Sequence, residues 1–90
     1  MPNNTLNDTF SDDISQRAIA FGDIYDAHYQ PILRYCLRRI GDVEAAEDVT
    51  AETFMNALKA YDRYESRSNI PISAWLYKIA TNQLRMYYLG

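Results

Sequence analysis

The sequence predicts an all-α fold, a small bundle of three main helices, and three observations lead there. Apolar residues recur at helical spacing in three separate stretches. Those stretches are divided by the pair Gly41–Asp42 and by a polar run that ends in Pro71. Only three Gly and three Pro occur in 90 residues, too few for a chain of short strands and turns, and no segment reads as a strand.

Taken in order, residues 1–13 (MPNNTLNDTFSDD) are rich in Asn, Asp and Thr without sustained periodicity. They predict a flexible arm over residues 1–17, with room for a short extra helix about Asp13–Ala20, ahead of a helical domain at 18–90. The first main helix, 21–40, carries the stripe Phe21, Tyr25, Tyr29, Ile32, Leu33, Cys36 and Ile40, with Arg34 and Arg38 opposite. Pro31 lacks a backbone donor and crowds the preceding turn, which predicts a kink or a restart there. Gly41 ends that helix and Asp42 caps the next. The second helix, 42–63, turns Ala46, Val49, Thr50, Thr53, Phe54, Ala57, Leu58 and Tyr61 to the core, with Glu44, Asp48, Glu52, Met55 and Lys59 on the other side. Residues 64–70 read as an exposed polar loop. Pro71 then suits the first turn of a third helix, 71–88, whose apolar arc is Ile72, Trp75, Leu76, Ile79, Ala80 and Tyr87. Lys78, Thr81, Asn82 and Arg85 form its polar arc.

Composition excludes several classes. A single cysteine, Cys36, permits no internal disulfide and fits a reducing compartment; its place in the apolar stripe makes it a small buried hydrophobe. No apolar run approaches 18 residues and the N-terminus is polar and acidic, so neither a membrane span nor a signal peptide is expected, and the predicted location is cytoplasmic. Net charge is −3 but uneven: residues 1–33 carry −4, 34–62 carry −2 and 63–90 carry +3. An acidic front and a basic final third point to two different partners. His28 stands without a ligand-spaced partner, and carboxylate metal sites in bundles draw ligands from several helices. No metal, no cofactor and no catalytic residue is expected, and the chain does not read as an enzyme.

One pattern asks for a reason. Glu44, Asp48 and Glu52 stand four residues apart on one stripe of the second helix, with no base between them. Like charges at that spacing cost a few tenths of a kcal/mol per pair. The helix dipole offsets this at Glu44 and near Asp48 but fades before Glu52.

The order of the pieces supplies a context. The helix containing ILRY..RRIGD leads into EDV..ETFMNALKAYDRY, then a polar loop, then SAWLYKIATNQL..YYL. Over residues 18–89 this resembles region 2 of bacterial RNA polymerase sigma factors, of the small extracytoplasmic-function (ECF) type; AEDVTAETF followed about twenty residues later by AWLYKIATN is the specific part. The resemblance implies a transcription initiation domain whose second helix docks on the clamp helices of the largest subunit of core RNA polymerase. On that reading Glu44, Asp48, Glu52 and Met55 bind polymerase, and the acids are unpaired because their bases belong to the partner. Ala51 stands where glutamine is common in the family.

The resemblance further implies that the third helix and the loop before it bind the minus-ten promoter element as single-stranded DNA. Lys78 and Arg85 then meet phosphates, Asn82 a base edge, and the loop residues Arg67, Ser68 and Asn69 set sequence preference. Trp75, at core spacing, reads first as packing, with stacking on a base as the other role. An anti-sigma protein is a further partner of such domains. The alternative function is a protein-interaction module of the same fold that binds polymerase or an anti-sigma partner without reading DNA. The factors of this type carry a second, helix-turn-helix domain called region 4, for which these 90 residues leave no place.

Overall fold

Three helices make up the fold in the computed structural model, which describes the backbone of residues 5–67 and 69–89 and the side chains of residues 19–65 and 69–89. They are α1 (Thr5–Ile40), α2 (Val43–Arg67) and α3 (Ile72–Leu89), and no strand occurs among the described residues. The fold class is the one the periodicity predicts. α2 is central: it packs along both neighbours, while α1 and α3 meet over a shorter stretch.

The α1–α2 corner forms as its residues dictate. Gly41 takes a left-handed φ of 80°, and its N–H donates to the Leu37 carbonyl at 2.8 Å. A Cβ at Gly41 would touch nothing, so what glycine avoids there is the backbone cost of that conformation, about 1–2 kcal/mol. Asp42 then caps α2, its Oδ2 accepting from the Ala45 N–H at 3.1 Å and its carbonyl from Ala46 at 2.9 Å. α3 begins on the same logic, with the Pro71 carbonyl accepting from Trp75 at 3.1 Å.

Phe21, Ile32 and Cys36 of α1 meet Ala46, Val49, Phe54 and Ala57 of α2 and Leu76, Ala80 and Leu84 of α3 in one core. Thr50 and Thr53 are fully buried there, as their place in the α2 arc predicts. Each hydroxyl donates to the carbonyl one turn back, Ala46 at 2.7 Å and Val49 at 2.8 Å, which removes the penalty of burying it. Among the described residues no buried side-chain polar atom lacks a partner.

Four expectations need correction. α1 is helical from Thr5 rather than from Phe21, and residues 1–4 lie outside the described residues. No Gly or Pro stands between Thr5 and Phe21, and extending a helix that is already nucleated costs little per residue. α1 also runs unbroken through Pro31 rather than restarting; the loss of one hydrogen bond and some crowding, about 3 kcal/mol, is outweighed by Ile32 and Cys36 fixed in the core just beyond it. α2 continues to Arg67, four residues into the expected loop, for a reason given below. Finally, Leu58 is 53% exposed and Tyr87 stands at the rim, whereas Leu84, outside the expected arc, is buried. An arc drawn from spacing marks a helix face, but the neighbouring helix decides which edge of it is covered.

Candidate functional site

The first surface belongs to α2. Val43–Leu58 carries Glu44, Glu47, Asp48 and Glu52 and no Lys or Arg. All four carboxylates are exposed, as is Met55, and none of the four is paired within the described residues. They do not converge with other ligands: among the described residues no group of three His, Cys, Asp or Glu is placed to hold a metal ion. The row runs between two depressions. On one side Asp48, Val49 and Glu52 share a groove of about 260 Å³ with Gln83, Met86 and Tyr87 of α3. On the other, Ala51, Phe54, Met55 and Leu58 join Tyr25 of α1 around an apolar groove of about 470 Å³. Leu58 and Tyr25 were assigned to the core by spacing; the structure sets them beside Met55 at the surface.

The second surface spans α3 and the end of α1. Lys78, Asn82 and Arg85 are exposed together, and Arg85 Nη1 donates to Asn82 Oδ1 at 3.4 Å, leaving the Asn82 NH2 as a donor. Ile72–Leu89 holds Lys78 and Arg85 and no acid; Gln30–Ile40 holds Arg34, Arg38 and Arg39 and no acid. The two segments are joined by hydrogen bonds. The Thr81 hydroxyl donates to the Tyr77 carbonyl at 2.8 Å, so in its 2.6 Å contact with the Tyr35 hydroxyl it accepts. Tyr88 donates its hydroxyl to the backbone carbonyl of Arg39. The Arg39 guanidinium lies 3.9 Å above the Tyr35 ring, and Tyr77 meets that ring edge-on at 5.0 Å. The pairing of Arg39 with Tyr88 was not visible in the sequence, since the partners stand 49 positions apart.

The loop expected to set base preference is shorter than anticipated. Arg67 ends α2 with its side chain outside the described residues, Ser68 lies outside them altogether, and Asn69 is exposed. What extends α2 is aromatic. Tyr64 stacks on Trp75 with ring centroids 4.4 Å apart and planes 24° from parallel, and its hydroxyl donates to the Ile70 carbonyl at 2.7 Å. Tyr61 stacks behind Tyr64 and meets Phe21 edge-on at 5.7 Å, so the column reaches α1. Trp75 therefore packs with one face against Tyr64 and is half-buried.

Burial pushes the Cys36 thiol above its ordinary value, against smaller lowering effects from its contact with Thr50 and from the Arg39 charge. It is a neutral core group, with no part in either surface. Burial likewise raises Tyr29, helped by Tyr25 and Glu47, and Tyr61, helped by Glu65, Tyr64 and Asp62.

A small helical domain with an exposed acidic row on one helix and a basic, aromatic face on another is the class that geometry defines. The Sigma-70 region 2 family matches residues 24–89, well over half of the chain, and the chain belongs to that family. Among curated proteins it is 41% identical over 63 residues to the ECF RNA polymerase sigma factor SigW of Bacillus subtilis, covering 70% of this chain and 33% of that protein. It is 38% identical over 65 residues to the ECF RNA polymerase sigma factor BldN of Streptomyces coelicolor, covering 72% and 24%. It is 36% identical over 66 residues to the RNA polymerase sigma factor YlaC of Bacillus subtilis, covering 73% and 37%. The chain thus spans about a third or less of the first two relatives and slightly more of the third. No solved structure matches it. The ECF type of region 2 read from the sequence motifs is upheld by these relatives. No helix among the described residues is long and apolar enough to cross a membrane.

Proposed function

We propose that the chain acts in transcription initiation as the region 2 unit of an ECF-type sigma factor, and that it divides its two tasks between the two surfaces. α2 docks on the clamp helices in the largest subunit of core RNA polymerase, with Asp48 and Glu52 taking basic side chains, Glu44 flanking them and Met55 packing alongside. α3 binds the minus-ten promoter element as a single strand: Lys78 and Arg85 hold phosphates, and Asn82 reads a base edge with its amide NH2. Arg67, Ser68 and Asn69, at the α2–α3 junction, set base preference. An anti-sigma protein that covers either surface would silence the unit.

The observation that carries the reading is the separation of charge. Four acids and no base occupy Val43–Leu58, while two bases and no acid occupy Ile72–Leu89, in a family of polymerase factors. The test is a paired assay on the 90-residue chain: pull-down by purified core polymerase and anisotropy with labelled single-stranded minus-ten DNA. Asp48→Lys with Glu52→Lys should abolish the first and spare the second, and Lys78→Ala should weaken the second and spare the first. Loss of both activities in either variant would refute the division.

One observation favours the adaptor reading. The last turn of α3 carries no base and exposes Met86, Tyr88 and Leu89, a surface suited to a protein partner. On that reading polymerase binding persists and single-strand binding is absent even at low salt.

A further inference from the structure

The groove between α1 and α3 lies outside every residue assigned to DNA above except Arg85. It has a volume of about 470 Å³, and Tyr35, Arg39, Thr81, Leu84, Arg85 and Tyr88 are among its lining residues. No carboxylate lines it, in a chain whose net charge is −3. We infer that this groove continues the single-strand track: the strand leaves α3 at Arg85 and runs onto the end of α1, where Arg39 holds a further phosphate. The inference rests on the reading of α3 as the DNA face and adds to it a contact on a different helix.

Three features suit the groove to a nucleotide. The first is orientation. The Arg39 guanidinium, stacked 3.9 Å over Tyr35, is fixed by a ring that Thr81 and Tyr77 hold in turn, so less side-chain freedom is lost when it takes a phosphate. The second is a joint. The Arg39 carbonyl is among the last four of α1, which have no partner within the helix, and Tyr88 supplies one. That bond ties the end of α3 to the end of α1 and keeps Arg85 and Arg39 on one groove. The third is the floor. The ring of Tyr88, a residue 61% exposed, offers apolar surface over the buried Leu84 for a deoxyribose or a base face between the two cations. The α1 C-terminus is the negative end of a helix dipole and would repel an anion, but Arg38 and Arg39 in its last turn reverse that sign. Charge complementarity therefore favours a polyanion, and the apolar floor favours one that carries bases.

The probe is a labelled single-stranded DNA of about ten nucleotides, within the usual span of such sites. It is titrated onto the full chain from low to moderate salt. Arg39→Gln should weaken binding several-fold and lower the salt slope by about 0.7, the value of one phosphate contact on a single strand. Arg39→Lys should keep the slope, because the charge remains. Lys78→Ala reports on the α3 reading alone. If Lys78→Ala weakens binding and Arg39→Gln changes neither affinity nor slope, the track stops at Arg85 and this inference is overturned while the proposed function stands. If the parent chain binds no single strand at any salt, both are overturned. If polyglutamate of matched charge competes as well as DNA, the groove recognises an acidic chain in general, and the assignment to a nucleic-acid strand fails.

Discussion

Val43–Leu58 on α2 and Ile72–Leu89 on α3 are of similar length and opposite sign, and the structure treats their charged groups differently. The acids Glu44, Glu47, Asp48 and Glu52 are bound to nothing among the described residues. On the other face Arg85 holds Asn82, and Arg39, beside it in the groove with α1, is stacked on Tyr35. The difference is what the proposed division of tasks would require. A folded protein would arrive with its own bases in place, so the acids could remain hydrated until contact, whereas a single strand would arrive flexible and have to be ordered, so a surface receiving it would gain by being arranged beforehand.

The largest effect that would break this comparison is reversal of the acidic row. Asp48→Lys with Glu52→Lys should cost polymerase affinity a hundredfold or more, about 3 kcal/mol, while chemical denaturation moves by only about half a kcal/mol. Equal polymerase binding by parent and variant would remove α2 from the interface. A smaller effect sharpens the other side. Asn82→Ala would remove the proposed base-edge hydrogen bond and should narrow the preference for promoter over scrambled strands about fivefold, with polymerase binding unchanged. Tyr64→Phe should be milder still. It deletes the bond to the Ile70 carbonyl but keeps the stack on Trp75, so stability should drop by about 1 kcal/mol or less, and any change should appear in base preference rather than in docking. Polymerase affinity that followed Tyr64 would merge the two surfaces.

The smallest effect concerns the core that both surfaces share. Burial raises Cys36, Tyr29 and Tyr61, so the folded state favours their neutral forms and the unfolded chain ionises first as pH rises. Their contribution is complete below the ordinary thiol value of 9.0 and is lost above it as pH climbs toward the raised values. The melting midpoint should therefore begin to fall near pH 9, where the unfolded thiol ionises, and keep falling above pH 10 as the two tyrosines join, and Cys36→Ala should remove the earliest part of that fall. A midpoint flat across this range would contradict the assignment.

Much of the fold was legible because it depends on neighbours in sequence. Gly41 and Asp42 mark a corner by their own backbone chemistry, and Thr50 and Thr53 could be set in the core because a hydroxyl one turn from a carbonyl needs no distant partner. The end of α2 was not legible. The run DRYESR looks like a loop by composition, and the stack of Tyr64 on Trp75, eleven residues on, favours helix there. Exposure of Asp48, Glu52 and Met55 followed from their face of α2, but the apolar groove beside them needed the path of α1 to bring Tyr25 against Leu58. The basic face was half legible for the same reason. Lys78, Asn82 and Arg85 share one helix, whereas Arg39 joins them only through Tyr88 and the crossing of two helices.

The stack at the α2–α3 junction also turns the chain into its own optical instrument. Trp75 is the only tryptophan, and one face of its indole is covered by Tyr64, whose hydroxyl holds the backbone of Ile70. Light absorbed by the indole alone therefore samples a single spot, the hinge from which the loop and α3 diverge. A strand settling on α3 or a shift of the loop would alter that ring's surroundings and change its emission, whereas a protein gripping only the distant acids of α2 would leave it dark to the event. Intrinsic fluorescence of the chain by itself, with no label attached, can therefore report on that junction.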